Sequence, residues 1–292
     1  MKFDKFIKAL APVLAIAIAA SVSGCDRKVK IDTDTGKVTV SGGSEGKKLS
    51  ELDFSGAAPT ELVLAGPDEV QLTQGNKLAI TVDGDADAAS KLRFNLKDGT
   101  LSIMRDGKWF GGDGGKLAVV HVTMPAPTEI TMAGSGKITA PVLAREAKVT
   151  VAGSGNIESP GIAGDSLELT IAGSGNFSGA GSVKKLDVTV AGSGSAALAG
   201  MKTDSANLTI AGSGNAAFAS DGDVEATIMG SGTIKVTGRA RCKVSSMGSG
   251  TLICENGVTD SDADDAEAGA PETPATPAAP AAPAATAAPK KP

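Results

Sequence analysis

The chain has no tyrosine, one tryptophan, one histidine and three cysteines in 292 residues. Scarce aromatics remove the stacking platforms that hold sugar rings or unpaired bases. With a single histidine and only two cysteines in the body of the chain, metal binding is not expected, and no cofactor is expected either. The net charge is −5 and no basic stripe occurs, which argues against nucleic acid as a partner.

Glycine, by contrast, is abundant and periodic. Gly-Ser-Gly occurs seven times, starting at Gly134, Gly153, Gly173, Gly192, Gly212, Gly230 and Gly248, at intervals of 18 to 20 residues. A period of that size marks a solenoid, each repeat forming one coil that cannot bury its apolar side alone. Four residues before the first glycine stand Ile130, Val149, Leu169, Val188, Leu208, Ala226 and Val244. Two before it stand Met132, Val151, Ile171, Val190, Ile210, Ile228 and Ser246, with threonine or serine between the two columns. Apolar, Thr, apolar is the alternation of a strand with one buried face.

Past the turn, Ile138 with Ala140, Phe177 with Gly179, Ala196 with Leu198 and Ala216 with Phe218 complement one another in size. That is how a fixed cross-section fills at close-packed density. Glycine suits the turns because it tolerates positive φ and close backbone approach. The seven leading glycines are therefore read as structural. Parallel crossovers are right-handed in about 98% of cases. The expected fold is all-β, a right-handed parallel β-helix of about 19 residues per coil. Residues 25–258 form this domain, with the clearest repeats over 128–256. Upstream, Leu62–Gly66, Ile80–Gly84 and Val38–Gly42 resemble the same strand-turn unit, which would start the solenoid near residue 30. Some 12 coils at about 4.8 Å would then make a rod of roughly 55 Å.

Residues 1–24 read as a lipoprotein signal peptide, with Lys2, Lys5 and Lys8 ahead of a short apolar stretch. Val22-Ser23-Gly24-Cys25 looks like a lipobox, which makes Cys25 the lipidated residue and the membrane a partner through that lipid. The alternative is an ordinary cleaved signal with an incidental cysteine. The compartment is then the bacterial cell envelope: the periplasmic side of the inner membrane if Asp26 acts as a retention signal, otherwise the outer membrane or surface. In an oxidising compartment Cys242 and Cys254, six residues either side of Gly248, form either a disulfide locking the last coil or two buried free thiols. Residues 259–292, acidic and then rich in Pro and Ala, read as a disordered tail.

No catalytic constellation emerges. The outward column Glu129, Lys148, Glu168, Asp187, Asn207, Glu225 and Lys243 mixes its signs, unlike carboxylates paired for glycoside chemistry. His121 lies in a strand-like stretch with no evident nucleophile or acid beside it, and is expected to be a structural or surface histidine. Asp83, Asp85 and Asp87 alternate as in a calcium loop, but that loop's later Gly and Glu are missing. The threonine column resembles those of ice-binding solenoids, although here its neighbour is charged. Trp109 and Phe110 stand in a glycine-rich loop, either an anchor for binding or a cover for the coil end.

The stretch from about Leu52 to Val258 resembles the putative autotransporter adhesin, head GIN-domain family. The matching residues are Leu64-Ala65-Gly66-Pro67-Asp68-Glu69-Val70 with Gln74-Gly75, then Leu96-Lys97-Asp98-Gly99-Thr100-Leu101, and Pro125 to Ile130 with Gly134-Ser135-Gly136. The resemblance implies adhesion. The expected function is a non-catalytic, lipid-anchored envelope protein that binds an envelope or extracellular polymer or protein. The alternatives are an envelope structural or signalling component without external ligand, or a polysaccharide-active β-helix enzyme.

Overall fold

The computed structural model describes residues 28–32, 37–41, 46–106 and 116–261. Cys25, Trp109, Phe110 and the tail from Asp262 onward lie outside the described residues. Two short strands, β1 (Lys28–Asp32) and β2 (Lys37–Ser41), pair antiparallel in a sheet of their own. The expected coil at Val38 is therefore one arm of a hairpin. Four residues join its strands, whereas a parallel crossover needs a dozen or more.

The solenoid starts with β3 (Glu61–Ala65) and β4 (Glu69–Gln74), the first two sides of one coil. The chain then leaves the stack. β5 (Ala79–Gly84), the short helix α1 (Ala86–Ser90), β6 (Leu92–Lys97), β7 (Thr100–Arg105) and β8 (Ala118–Met124) follow. β7 runs parallel to β3 and β8 parallel to β4, while β5 and β6 run antiparallel to β8 and β7. The stretch Ile80–Gly84 is thus a reversed strand and not a coil. Only four residues separate β5 from β4, too few to carry the chain once round the core. β7 and β8 together make a rung beneath β3 and β4, although they come later in the sequence.

Regular winding begins at β9 (Glu129–Gly134) and β10 (Lys137–Thr139), which lie on the other side of β3 and β4. β11 (Glu146–Gly153) continues it. The next strands run almost whole coils: β12 (Asn156–Gly173), β13 (Asn176–Gly192), β14 (Ser195–Gly212) and β15 (Asn215–Gly230). The last coil and a half consists of β16 (Thr233–Thr237), β17 (Arg241–Met247), β18 (Thr251–Cys254) and β19 (Val258–Ser261). β19 extends three residues into the segment read as tail. Register is kept residue for residue: Gly134, Gly153, Gly173, Gly192, Gly212 and Gly230 stack in one line. Register shifts at Ser159/Ile162 and Ser178/Ala180 mark a further corner of the coil. The parallel stack has about seven turns of about 19 residues. At about 4.8 Å per turn that is roughly 34 Å, shorter than the 55 Å expected, because the upstream segments do not wind.

The two inward columns before the turn are buried from Ile130 to Ile228. Only Val244 and Ser246, on the last coil, are less covered, since β19 reaches no further than Val244 along β17. The size complementarity past the turn is real packing. Phe177 and Phe218 are fully buried, and a Cβ on Gly179 would come within 2.9 Å of the Phe177 ring. Ser159, on the same inward column, is fully buried and its hydroxyl has no hydrogen-bond partner.

Candidate functional site

The repeated corner sets the shape of the outward face. At Gly192 φ is +124°, and a Cβ there would stand 2.4 Å from the Gly173 carbonyl oxygen. Side chains avoid that backbone region, and a stacked carbonyl cannot move aside. Gly194 is needed for a different reason. A Cβ there would lie 2.5 Å from Ile171 Cγ2, the inward side chain of the rung below. The first glycine therefore supplies the turn and the second admits the neighbouring coil. Between them Ser193 donates its backbone N–H to the Gly173 carbonyl at 2.9 Å, and Ser154, Ser174, Ser213 and Ser231 do the same on their own rungs.

These constraints leave small residues outside. The seven corner serines, from Ser135 to Ser249, are all exposed in one line. Beside them runs a column of half-buried alanines, Ala133, Ala152, Ala172, Ala191 and Ala211, ending in Met229 and Met247. Past the corner, Asn156, Asn176 and Asn215 are exposed, and Asn176 donates Nδ2–H to Asn156 Oδ1 at 3.0 Å. The threonine column is outward as expected, half-buried from Thr170 to Thr227. Thr131 and Thr150, however, are buried. The result is a ridge of small polar groups repeated at about the 4.8 Å rung spacing.

Several of the charges outside this ridge pair with one another. Lys137 meets Glu158 at 3.1 Å, Lys235 meets Glu255 at 2.9 Å, and Arg241 meets Asp223 at 2.7 Å, each pair spanning adjacent rungs. Asp165 sits between Arg145 at 2.9 Å and Lys184 at 2.7 Å. Hydrogen bonds from Arg145 and then Lys184 hold its carboxyl down to about 2. The Arg241 guanidinium likewise lowers Asp223. Alternation of sign along a column thus joins coil to coil. Exposed pairs of this kind contribute little each, and their main effect is on register.

His121 does have an acid beside it, contrary to expectation. Its Nε2 lies 3.1 Å from Asp83 Oδ2 across the β5–β8 pairing, with Asp83 largely exposed. Asp85 caps α1 by accepting from the backbone of Asp87 and Ala88, and it also pairs with Lys116. Asp83 and Asp85 therefore have separate partners. Among the described residues no group of three or more His, Cys, Asp or Glu could hold a metal ion.

Sequence reasoning missed one buried network. The corner Gly66-Pro67-Asp68 occupies the place of Gly-Ser-Gly on the first coil, as Lys137 donating to the Asp68 carbonyl shows. Asp68 is 1% exposed; its carboxylate accepts two bonds from Arg105 and one from the Ala118 backbone N–H at 3.0 Å. Asp68 thus joins the end of β7 to the start of β8. The available signal was an aspartate standing where every later coil has its second glycine. At the opposite end Cys242 and Cys254 form a disulfide, with Cα atoms 6.5 Å apart, joining β17 to β18.

The fold and its corners define a parallel β-solenoid with a regular polar ridge. Residues 58–240, more than half of the chain, match the family described as "Putative auto-transporter adhesin, head GIN domain", and the chain belongs to that family. No curated protein matches it. Among solved structures it is similar to a "putative adhesin" from Bacteroides fragilis, at 17% identity and TM-score 0.55, over 70% of this chain and 91% of that one. It is similar also to a "putative lipid binding protein" from Parabacteroides distasonis, at 24% identity and TM-score 0.55, over 68% and 93%.

Proposed function

We propose that the chain is a non-catalytic adhesion protein of the bacterial cell envelope, held to a membrane by lipid on Cys25. It binds an envelope or extracellular polymer or protein along its outward ridge. The observation that carries this reading is the in-register array of serine, asparagine and threonine outside the stacked glycine corners. A periodic face offers many equivalent weak contacts to an extended ligand, and several engaged together give avidity without any deep pocket. The ionisable groups nearby point the same way, being taken up in rung-to-rung pairs rather than converging on one spot. Trp109 and Phe110, in a glycine-rich stretch of the sequence, supply the aromatic part of the contact. Family membership supports adhesion as the class of activity.

Retention of the purified protein on peptidoglycan, envelope proteins and host matrix tests the reading. The expected result is binding to one of them that Ser193→Arg with Ser213→Arg lowers at least tenfold, with the fold intact. Retention on none, with the protein still in the membrane fraction, would favour an envelope structural component instead. Release of unsaturated or reducing ends from uronate polymers would contradict a non-catalytic role. Metabolic acyl labelling that survives Cys25→Ser would contradict the anchor.

A further inference from the structure

The two ends of the solenoid are closed to different degrees. At the N-terminal end the parallel ladder is stopped by reversal: β5 and β6 run antiparallel along β8 and β7, and Lys47 bridges the outer edge of β6 at Phe94. At the C-terminal end, among the described residues, the parallel ladder ends without such a reversal. Among the described residues β18 pairs only with β16, and β19 covers only Arg241–Val244 of β17, leaving Ser245–Met247 without a strand above them. The edge Thr251-Leu252-Ile253-Cys254 has neither charge nor proline, the usual guards of an exposed strand. Five large apolar side chains are exposed among the described residues, and three of them, Met247, Ile253 and Val258, are on this coil. The disulfide between Cys242 and Cys254 fixes both edge strands in position.

The rest of the chain is poorly suited to add the missing rung. Beyond Ser261 it has Asp262, Asp264, Asp265 and Glu267, followed by Pro271, Pro274 and further prolines at short intervals. Proline lacks the N–H that a ladder needs, and acidic residues are weak strand formers. A cover of matching cross-section exists in another copy of the same end. A two-fold axis lets one edge pair antiparallel with itself, with the two Leu252 positions opposite each other and the apolar collar shared. Such a contact closes at two copies, and the reversed strands at the far end block growth into a filament.

We propose that the C-terminal coil is a self-association surface, through which two copies join tail to tail by antiparallel pairing of the β17–β18 edge. Sedimentation equilibrium of the mature, lipidated chain in density-matched detergent should give about twice the mass that one chain shows in denaturant. Ile253→Lys and Met247→Glu, at exposed positions on this coil, should each raise the dissociation constant about tenfold or more. Far-UV circular dichroism should stay that of the wild type, and if one variant misfolds the other decides. Ala79→Lys, on β5 at the sealed end, should leave the dimer intact. A single-chain mass at all concentrations, a dimer indifferent to both C-terminal variants, or one broken by Ala79→Lys would overturn the proposal.

Discussion

The corners at Gly66-Pro67-Asp68 and Gly192-Ser193-Gly194 turn the chain between the same two sheets by different means. In the regular array the backbone does it: a positive φ at the first glycine, and a bare Cα at the second where the next coil presses close. On the first coil a buried side chain does it, Asp68 gathering Arg105 and the Ala118 N–H from the rung beneath. The glycine corner is independent of what its neighbours carry, provided they are the same corner, and so it can be repeated. The aspartate corner depends on two specific partners brought from 37 and 50 residues away, and so it occurs once. A solenoid needs both kinds, because its first coil must be joined to something that is not a coil.

The sharpest way to break this comparison is to remove the aspartate. Asp68→Ala leaves Arg105 half-buried without its charge partner and should cost about 3–5 kcal/mol in chemical denaturation. Asp68→Gly, which makes the corner resemble the others, should lose about as much. Full recovery there would mean that the two corners are interchangeable after all.

In the array, Gly192→Val should cost about 3 kcal/mol through strained φ and collision with the Gly173 carbonyl, while Thr189→Ala should cost under about 0.5. Equal losses would show that the facing of the strand has been misread. Ser159→Ala should be neutral or stabilising by up to about 1 kcal/mol, since it removes a buried hydroxyl without a partner. A clear loss would reveal a bond to that hydroxyl.

The smallest effect is electrostatic. The folded Asp165 carboxyl lies at about 2, below its ordinary 3.8. Its contribution is therefore present above about pH 4 and lost as pH falls through 2. Its NMR titration midpoint should rise when Arg145 and Lys184 are both changed to Gln. No movement would show that the Arg145–Asp165–Lys184 bridge does not persist in solution.

This contrast also explains what could be read from the chain alone. Residues 128–256 were legible because every coil repeats the same corner, so the inward columns and the outward threonines follow by counting from one glycine. Cys242 and Cys254 could be placed on the last coil by the same count, though their distance could not. The N-terminal region was not legible by that count. Its rungs are stacked out of chain order, with β7 and β8 beneath β3 and β4, and Ile80–Gly84 carries the apolar alternation of a coil while running backwards. Alternation shows which residues face inward but not which way the strand points. The rung-to-rung ion pairs were hidden for a related reason, since Arg145 and Asp165 become neighbours only once register is known. On the candidate site, the ridge is partly visible in the sequence as a threonine column, whereas a corner serine reads as a turn former and its outward facing follows only from the stacked backbone.

Distances between spin labels on the corner serines test the central claim most directly. With one label at Ser135 and the second at Ser193, Ser213 or Ser249, stacked corners put the pairs three, four and six rungs apart, or roughly 14, 19 and 29 Å before label length is added. Narrow distributions that lengthen steadily by one rung spacing per coil are the predicted result. Broad distributions, or a separation that fails to grow with the number of coils between the labels, would contradict it.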